Sequence, residues 1–499
     1  MTAEPLPEAA VRPLRAVYAR VVRVASAATF ARLADDAYQV DPADPDSLDL
    51  LLDALADATG PDVDWLHALP LAVDGTVGAE SLARAHWACV DTPAALLRAM
   101  AGRTEAGPLR AFWLSHRAQP VEGGVDRPEL GLLAGVCEVA RQERGVAGRW
   151  LDLPGAGLAD WAPLLASVLA EPDASATEPG RLALRQGYWW QQILLPVTAP
   201  PGTAGAPAAG DGVHVILGGT GGIGGTLAAW LLERTDSRVI LVARRPTLPD
   251  HLAPWADRVV MVEADLAMQP PDAVLATIER YTDRVDGVVH AVGEAAGNLI
   301  IRRDGAAMRR ATAAKLNSAL LVESLIARFR PEFAAYCSSM ASLFGGVGQL
   351  DYAAASGLLD GFARHRAAPA ETTLRLGIDR DIWHEAGMAR QALRSDARHQ
   401  AHLAVGLDVA EGSRVFGRAL RLQLPQLLVS ATPPEQARGF YEASAGAPTP
   451  AHEETAGRPA ETPPAEQLTQ HLCRWLGLEE LDPGRPCTTW ARTRSPCST

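Results

Sequence analysis

Lysine is rare in this chain, and arginine carries nearly all of its positive charge. The 499 residues hold 46 Lys plus Arg against 59 Asp plus Glu, a net charge of −13, with no basic tract to offset it. That balance argues against a nucleic-acid or anionic-membrane surface. No apolar run approaches the roughly 18 residues of a membrane span. The N-terminus, Met1-Thr2-Ala3-Glu4-Pro5, carries an acid and no apolar h-region, so no signal peptide is expected. Cys89, Cys137, Cys337, Cys473, Cys487 and Cys497 form no CxxC pair and have no metal-ligand spacing. Free thiols in a reducing cytoplasm are the simplest expectation, with no metal.

What is present is globular. Apolar residues make up 48% of the chain and charged residues 21%, and the length exceeds one ordinary core, so two or more domains are expected. Residues 1–208 read as mixed α/β. Leu48, Leu51, Leu52 and Leu55 have helical spacing, as do Leu96, Leu97 and Met100. Asp41 to Ser47 reads as a turn and N-cap ahead of the first of these helices. Leu109–Leu114 and Arg149–Leu151 read as strands, and Arg181–Trp190 as strand, turn at Gly187, strand. There is no phosphate-type glycine turn here and no cluster of His or carboxylates, so this half reads as scaffold. A Gly/Pro/Ala linker, Pro200–Pro207, closes it.

Val213–Leu217 is a short apolar run, as expected of a buried parallel strand. It feeds Gly218-Gly219-Thr220-Gly221-Gly222-Ile223-Gly224, and residues 226–232 are helical in character. A glycine turn between strand and helix brings backbone N–H groups to a pyrophosphate. Arg238–Ala243 is the next strand and ends in Arg244-Arg245. A basic pair there suits a ribose 2′-phosphate, hence NADPH; a solvated arginine pair is the other reading. Val259–Glu263 precedes Asp265, which either meets the adenine or caps the next helix. Asp286–Gly293, a helix over 311–327 bearing Lys315, and the strand Phe333–Ser339 follow. Strands alternating with helices at this rhythm predict a doubly wound parallel sheet.

Together these residues resemble the ketoreductase of modular polyketide synthases, within the short-chain dehydrogenase/reductase superfamily. The resemblance covers nearly all of residues 20–430. It implies two Rossmann-like subdomains, structural (1–208) and catalytic (209–438). It implies NADPH held by residues 218–224, Arg244, Arg245, Asp265, Leu266, His290 and Ala291. It also implies catalysis by Lys315, Ser339 and Tyr352, which lie 24 and then 13 residues apart as the family requires. A free tyrosine has a pKa of about 10. A nearby ammonium lowers it toward useful acidity. Tyr352 would then give a proton to the carbonyl oxygen while Ser339 holds that oxygen.

The chain also departs from the family. Ser356 stands where the family has the catalytic-site Asn, and Asp379-Arg380 where it has Asn-Trp. Trp383 and Gly387-Met388-Ala389 keep the family pattern near the substrate lid. The segment Ala295-Ala296-Gly297 lacks the acidic pair of one stereochemical class, and Phe344 replaces the Trp of the other. The missing acidic pair points to the L-hydroxy product.

Residues 439–464 read as a Pro/Ala/Glu-rich disordered linker. Residues 465–499 begin like an acyl carrier domain but lack its phosphopantetheine serine. Thr488–Arg494, read one base earlier, can encode Tyr-Asp-Leu-Gly-Ala-Asp-Ser, so a frameshift near Cys487 is expected. The sequence thus implies an NADPH-dependent β-ketoacyl reductase. Its substrate would be carried by an acyl carrier protein, with other polyketide synthase domains or subunits as partners. The alternatives are an inactive ketoreductase serving as scaffold and a free-standing reductase of small ketones.

Overall fold

Strand β9 (Val213–Leu217) is buried on both faces, which explains its unbroken apolar run. In the computed structural model it lies inside a seven-stranded sheet with β10 (Arg238–Ala243), β11 (Val259–Glu263), β12 (Gly287–His290), β13 (Phe333–Ser339), β14 (Leu374–Arg380) and β15 (Gln426–Val429). The order is β11-β10-β9-β12-β13-β14-β15, and every pairing is parallel. Chain order reverses between β9 and β12. A doubly wound sheet opens its binding crevice at such a point, beyond the carboxyl ends of the strands. The structure describes residues 1–56, 63–102, 110–171, 180–198, 210–293, 297–367, 371–384 and 397–442.

The first half carries a second parallel-rich sheet, β4 (Asp64–His67), β5 (Arg110–His116), β6 (Ala147–Leu153), β7 (Arg181–Arg185) and β8 (Tyr188–Gln191). β8 runs antiparallel to β7 through a turn in which Gln186 and Gly187 both have positive φ. A separate three-stranded sheet, order β1-β3-β2, is built from Arg23–Ser26, Ala31–Ala34 and Ala37–Val40. The strand, turn and strand read over Arg181–Trp190 are the β7–β8 hairpin, the one antiparallel pair of the five-stranded sheet. The helices expected around Leu48–Leu55 and Leu96 are Pro45–Ala56 and Thr92–Ala99.

Met1–Gln191 and Thr203–Ala447 form one compact unit. A second unit comprises Gln192–Gly202 and Pro448–Thr499, of which 192–198 are described, without strand or helix. Within the first unit, the helix Leu133–Arg144 packs backbone to backbone against the helix Leu350–Ala363. A Cβ on Gly135 would fall 2.2 Å from the Ala354 nitrogen, so only glycine permits this approach. Arg309 pairs with Asp91 at 2.6 Å, and the Thr312 hydroxyl bonds His86 at 2.9 Å, tying the helix Gly305–Phe329 to the first half. The first half thus fixes the two helices that carry Lys315 and Tyr352.

Candidate active site

The glycine turn leaves the carboxyl end of β9. Gly218 has φ +78°, and a Cβ there would lie 2.8 Å from the Ala291 carbonyl oxygen, so the turn and the end of β12 close on each other. Gly219 and Gly224 are buried beneath the turn; Gly221 and Gly222 are exposed at its crest, with Thr220 and Ile223 partly so. The helix Gly222–Arg234 starts there without a side-chain cap, leaving its first N–H groups directed at the crevice. That cradle fits a pyrophosphate. Arg244 and Arg245 are exposed just past β10, next to the turn.

The other expected cofactor residues lie at or just past the ends of β11 and β12. The His290 side chain is fully buried, its Nε2 2.7 Å from the Ser318 hydroxyl and its ring tilted against Tyr336 at 5.9 Å. Burial, then the Lys315 charge, lowers its pKa to about 3, so it stays neutral and structural. Leu266 is buried in the core. The Asp265 carboxylate accepts the Ala267 N–H at 3.0 Å within a turn, and the next helix, Pro271–Ile278, starts without a side-chain cap. Ala291 is partly exposed beside the turn.

The catalytic candidates converge. Ser339 ends β13, Tyr352 opens the helix Leu350–Ala363, and Lys315 sits midway along the helix Gly305–Phe329. Lys315 is the only lysine in the sequence. Its Nζ stands 4.2 Å from the Tyr352 ring centroid and donates to the Ser356 hydroxyl at 2.9 Å. Ser356 donates in turn to the Tyr352 carbonyl at 2.8 Å, and Ser338 donates to the Ser356 carbonyl at 3.1 Å. The substitution therefore leaves the lysine with an oxygen partner. Burial lowers the Lys315 pKa. Burial alone would raise that of Tyr352, but Lys315, then Arg380 and a Ser339 hydrogen bond, outweigh it and lower it. Tyr352 is partly exposed, whereas Ser339, Lys315 and Ser356 are buried.

One further group reaches this site. Arg380, level with Ser339 in the β13–β14 register, acts electrostatically on both Tyr352 and Lys315; its buried Nε has no hydrogen-bond partner among the described residues. It lines a pocket of about 300 Å³ with Ile223, Cys337 and Trp383. In the sequence Arg380 stands out only as a departure from the family pattern. Tyr441, on the helix Pro434–Glu442, packs its ring against Phe344 at 6.0 Å, just past the end of β13. This helix runs past residue 438, into the stretch expected to be linker. The signal that could have found it is the Phe440-Tyr441 pair, since such linkers are poor in aromatics. Trp383 is buried, its ring where a Cβ on Gly412 would lie. Gly387-Met388-Ala389, Ala295, Ala296 and residues 443–499 lie outside the described residues.

A glycine turn at the switch point of a parallel sheet, with lysine, serine and tyrosine gathered at the same strand ends, defines a Rossmann-type short-chain dehydrogenase/reductase. Residues 212–385 match the KR domain family. The chain is 30% identical over 472 residues to polyketide synthase GfsA of Streptomyces halstedii, covering 87% of this chain and 6% of that protein. It is 30% identical over 225 residues to polyketide synthase ThaG of Burkholderia thailandensis, covering 43% and 4%. Its fold is that of an N-terminal ketoreductase from the macrolactin assembly line (TM-score 0.69, 17% identity, 84% of each chain). It is likewise that of a C2-type ketoreductase from a modular polyketide synthase (TM-score 0.67, 23% identity, 82% of this chain and 89% of that one). The chain carries a ketoreductase domain of the modular polyketide synthase family. It spans only a small fraction of the length of these curated relatives.

Proposed function

We propose that this ketoreductase domain is catalytically competent and reduces a β-ketoacyl thioester, borne on an acyl carrier protein, to the β-hydroxyacyl thioester with NADPH. The observation that carries the reading is the 4.2 Å stacking of Lys315 on Tyr352, with Ser339 at the adjoining strand end. NADPH supplies the hydride when bound. The glycine turn and the helix Gly222–Arg234 would hold its pyrophosphate, and Arg244 and Arg245 its 2′-phosphate. Ser339 would donate to the substrate carbonyl oxygen. Tyr352, acidified by Lys315, would transfer its proton to that oxygen as negative charge develops there.

The inactive-scaffold reading draws on Ser356 in place of Asn. Against it stands the 2.9 Å bond from Lys315 to Ser356, which keeps the ammonium anchored. The test is NADPH consumption by the purified chain with a β-keto thioester mimic. Turnover abolished in Tyr352→Phe supports the reading. No turnover with NADPH still bound favours the scaffold, and much faster turnover of simple ketones favours a free-standing reductase.

A further inference from the structure

Between Ser339 and Tyr352 the chain makes one short helix, Ala341–Phe344, and then the loop Gly345-Gly346-Val347-Gly348. The loop has no buried side chain to anchor it. Its glycines have φ of +73°, +138° and +78°, and its one side chain, Val347, is exposed. The three glycines are nevertheless buried. A buried backbone must find hydrogen-bond partners, and glycine loses the most freedom on being fixed. The position of this loop is therefore set by its hydrogen bonds rather than by packing.

The partners come from the first half of the chain. Gln142 and Glu143 lie in the last turn of the helix Leu133–Arg144. Gln142 Nε2 donates to the Phe344 carbonyl at 2.6 Å, and its Oε1 accepts the Gly346 N–H at 2.7 Å. The Glu143 carboxylate accepts twice: Oε1 from the Gly348 N–H at 2.8 Å, and Oε2 from the Ile300 N–H at 2.7 Å. Glu143 thus ties the loop to the segment that follows β12. The Asn298 N–H completes the tie by donating to the Gly348 carbonyl at 3.0 Å. The same segment reaches Tyr352 by a second route, since Arg303 pairs with Asp351, whose Oδ1 accepts the Tyr352 N–H at 2.9 Å. Both routes end at the first turn of the helix that carries Tyr352.

We infer that Gln142 and Glu143 are positioning residues of the reductase: from the first half they clamp the loop 345–348 to the segment 298–300 and so fix where Tyr352 stands relative to Ser339. The half without a cofactor turn thereby acts on the chemistry through four hydrogen bonds, none of which falls on the glycine turn.

The inference rests on the reductase reading, so the test has one arm independent of turnover. Glu143→Gln keeps the shape of the side chain but turns one accepting oxygen into an NH2 group facing a backbone N–H. Gln142→Glu, an independent variant, sets a carboxylate oxygen against the Phe344 carbonyl. In both we expect amide hydrogen exchange over residues 298–300 and 345–348 to quicken about tenfold, the equivalent of one hydrogen bond. Exchange over residues 218–224 should stay as in wild type. The kcat for a β-keto thioester should fall about 10- to 100-fold, because a misplacement of about 1 Å can cost about 10²-fold. The KM and the affinity for NADPH should be little changed. Unchanged exchange at both segments overturns the inference, and so does an unchanged kcat once exchange has quickened. A fall in kcat matched by lost NADPH affinity and faster exchange at the glycine turn also overturns it, since that is a general loss of structure. If wild type does not turn over yet exchange quickens at the two segments alone, the reductase reading fails and the clamp stands.

Discussion

The Lys315 ammonium lies 4.2 Å from the centre of the Tyr352 ring, on a helix 37 residues earlier in the chain (352 − 315 = 37). Each group biases the other: Lys315 lowers the Tyr352 pKa, and Tyr352 partly offsets the burial that lowers that of Lys315. In the reducing direction the phenol must hold its proton, so activity falls as pH rises through the Tyr352 pKa. Lys315→Met should move that limb to higher pH and reduce kcat by about 10²–10³-fold, because the acid is weaker and the developing charge is less stabilised. The pH–rate profiles of the two proteins provide the check, and an unmoved limb would remove Lys315 from the assignment.

The single lysine makes the same coupling visible without catalysis. Labelling with [15N]lysine leaves one side-chain ammonium signal, from Lys315. It should titrate below the ordinary value of about 10.4. Tyr352→Phe should lower it further by removing a phenolate, and Arg380→Met should raise it by removing a neighbouring cation. Shifts of the opposite sign would mean that the three groups are not coupled as placed.

Ser356 holds Lys315 from a buried position. Ser356→Ala leaves the ammonium short of one oxygen partner, and a buried hydrogen bond to a charged group contributes about 1.5–3 kcal/mol. We expect kcat to fall by roughly 10- to 100-fold on that basis, with NADPH affinity retained. Ser356→Asn should keep most of the activity, since its carbonyl can still accept from Lys315. Steady-state kinetics of both variants test this, and an Ala variant with full activity would show that the bond is dispensable.

Strands and catalytic spacing were legible in the sequence where each residue's environment is written locally. β9, β10 and β13 read as apolar runs because both faces of the sheet are covered there, while β11, also apolar, is a half-buried edge strand. Lys315, Ser339 and Tyr352 were picked out because their spacing matches the family the chain resembles, and in the fold two helices and a strand end carry them. β14 was not legible: Arg375 and Asp379 interrupt its apolar pattern, yet both are buried. Arg375 is satisfied by Glu323 and Glu371, each at 3.0 Å, and no local pattern announces the partner 52 residues away. Tyr441 escaped for a related reason, since only the fold brings the C-terminal helix against Phe344. His290 was assigned to the cofactor because His290-Ala291-Val292-Gly293 resembles the family's His-Ala-Ala-Gly, and only the fold shows its side chain bonded to the buried Ser318.

Arg244 and Arg245 stand exposed beside the glycine turn. Replacing both with Ala should weaken NADPH by about 10- to 100-fold, the worth of charge-assisted bonds to a phosphate, while NADH binding stays nearly constant. Fluorescence titration with each nucleotide measures this. Equal losses for the two cofactors would place the pair away from the 2′-phosphate.

Asp379 tests how the sheet beneath the site tolerates charge. Its carboxyl is fully buried against Asp360, and each has an Oδ1 without a partner among the described residues; Gln426 donates to Asp379 Oδ2. Burial, then the Asp360 charge and hydrogen bond, raises the Asp379 pKa well above the carboxylate range, so the folded protein holds a proton there. The folded value exceeds the unfolded value of about 3.9. Stability is therefore greatest below that unfolded value and is lost as pH rises toward the raised folded one. Asp379→Asn supplies a permanent donor to Asp360 and removes the need for the proton. It should stabilise the protein by about 1–3 kcal/mol near neutral pH, with the gain shrinking as pH falls toward about 4. Urea unfolding at both pH values decides it. A variant less stable than wild type at neutral pH, or a gain that does not change with pH, would mean that the two aspartates do not share a proton.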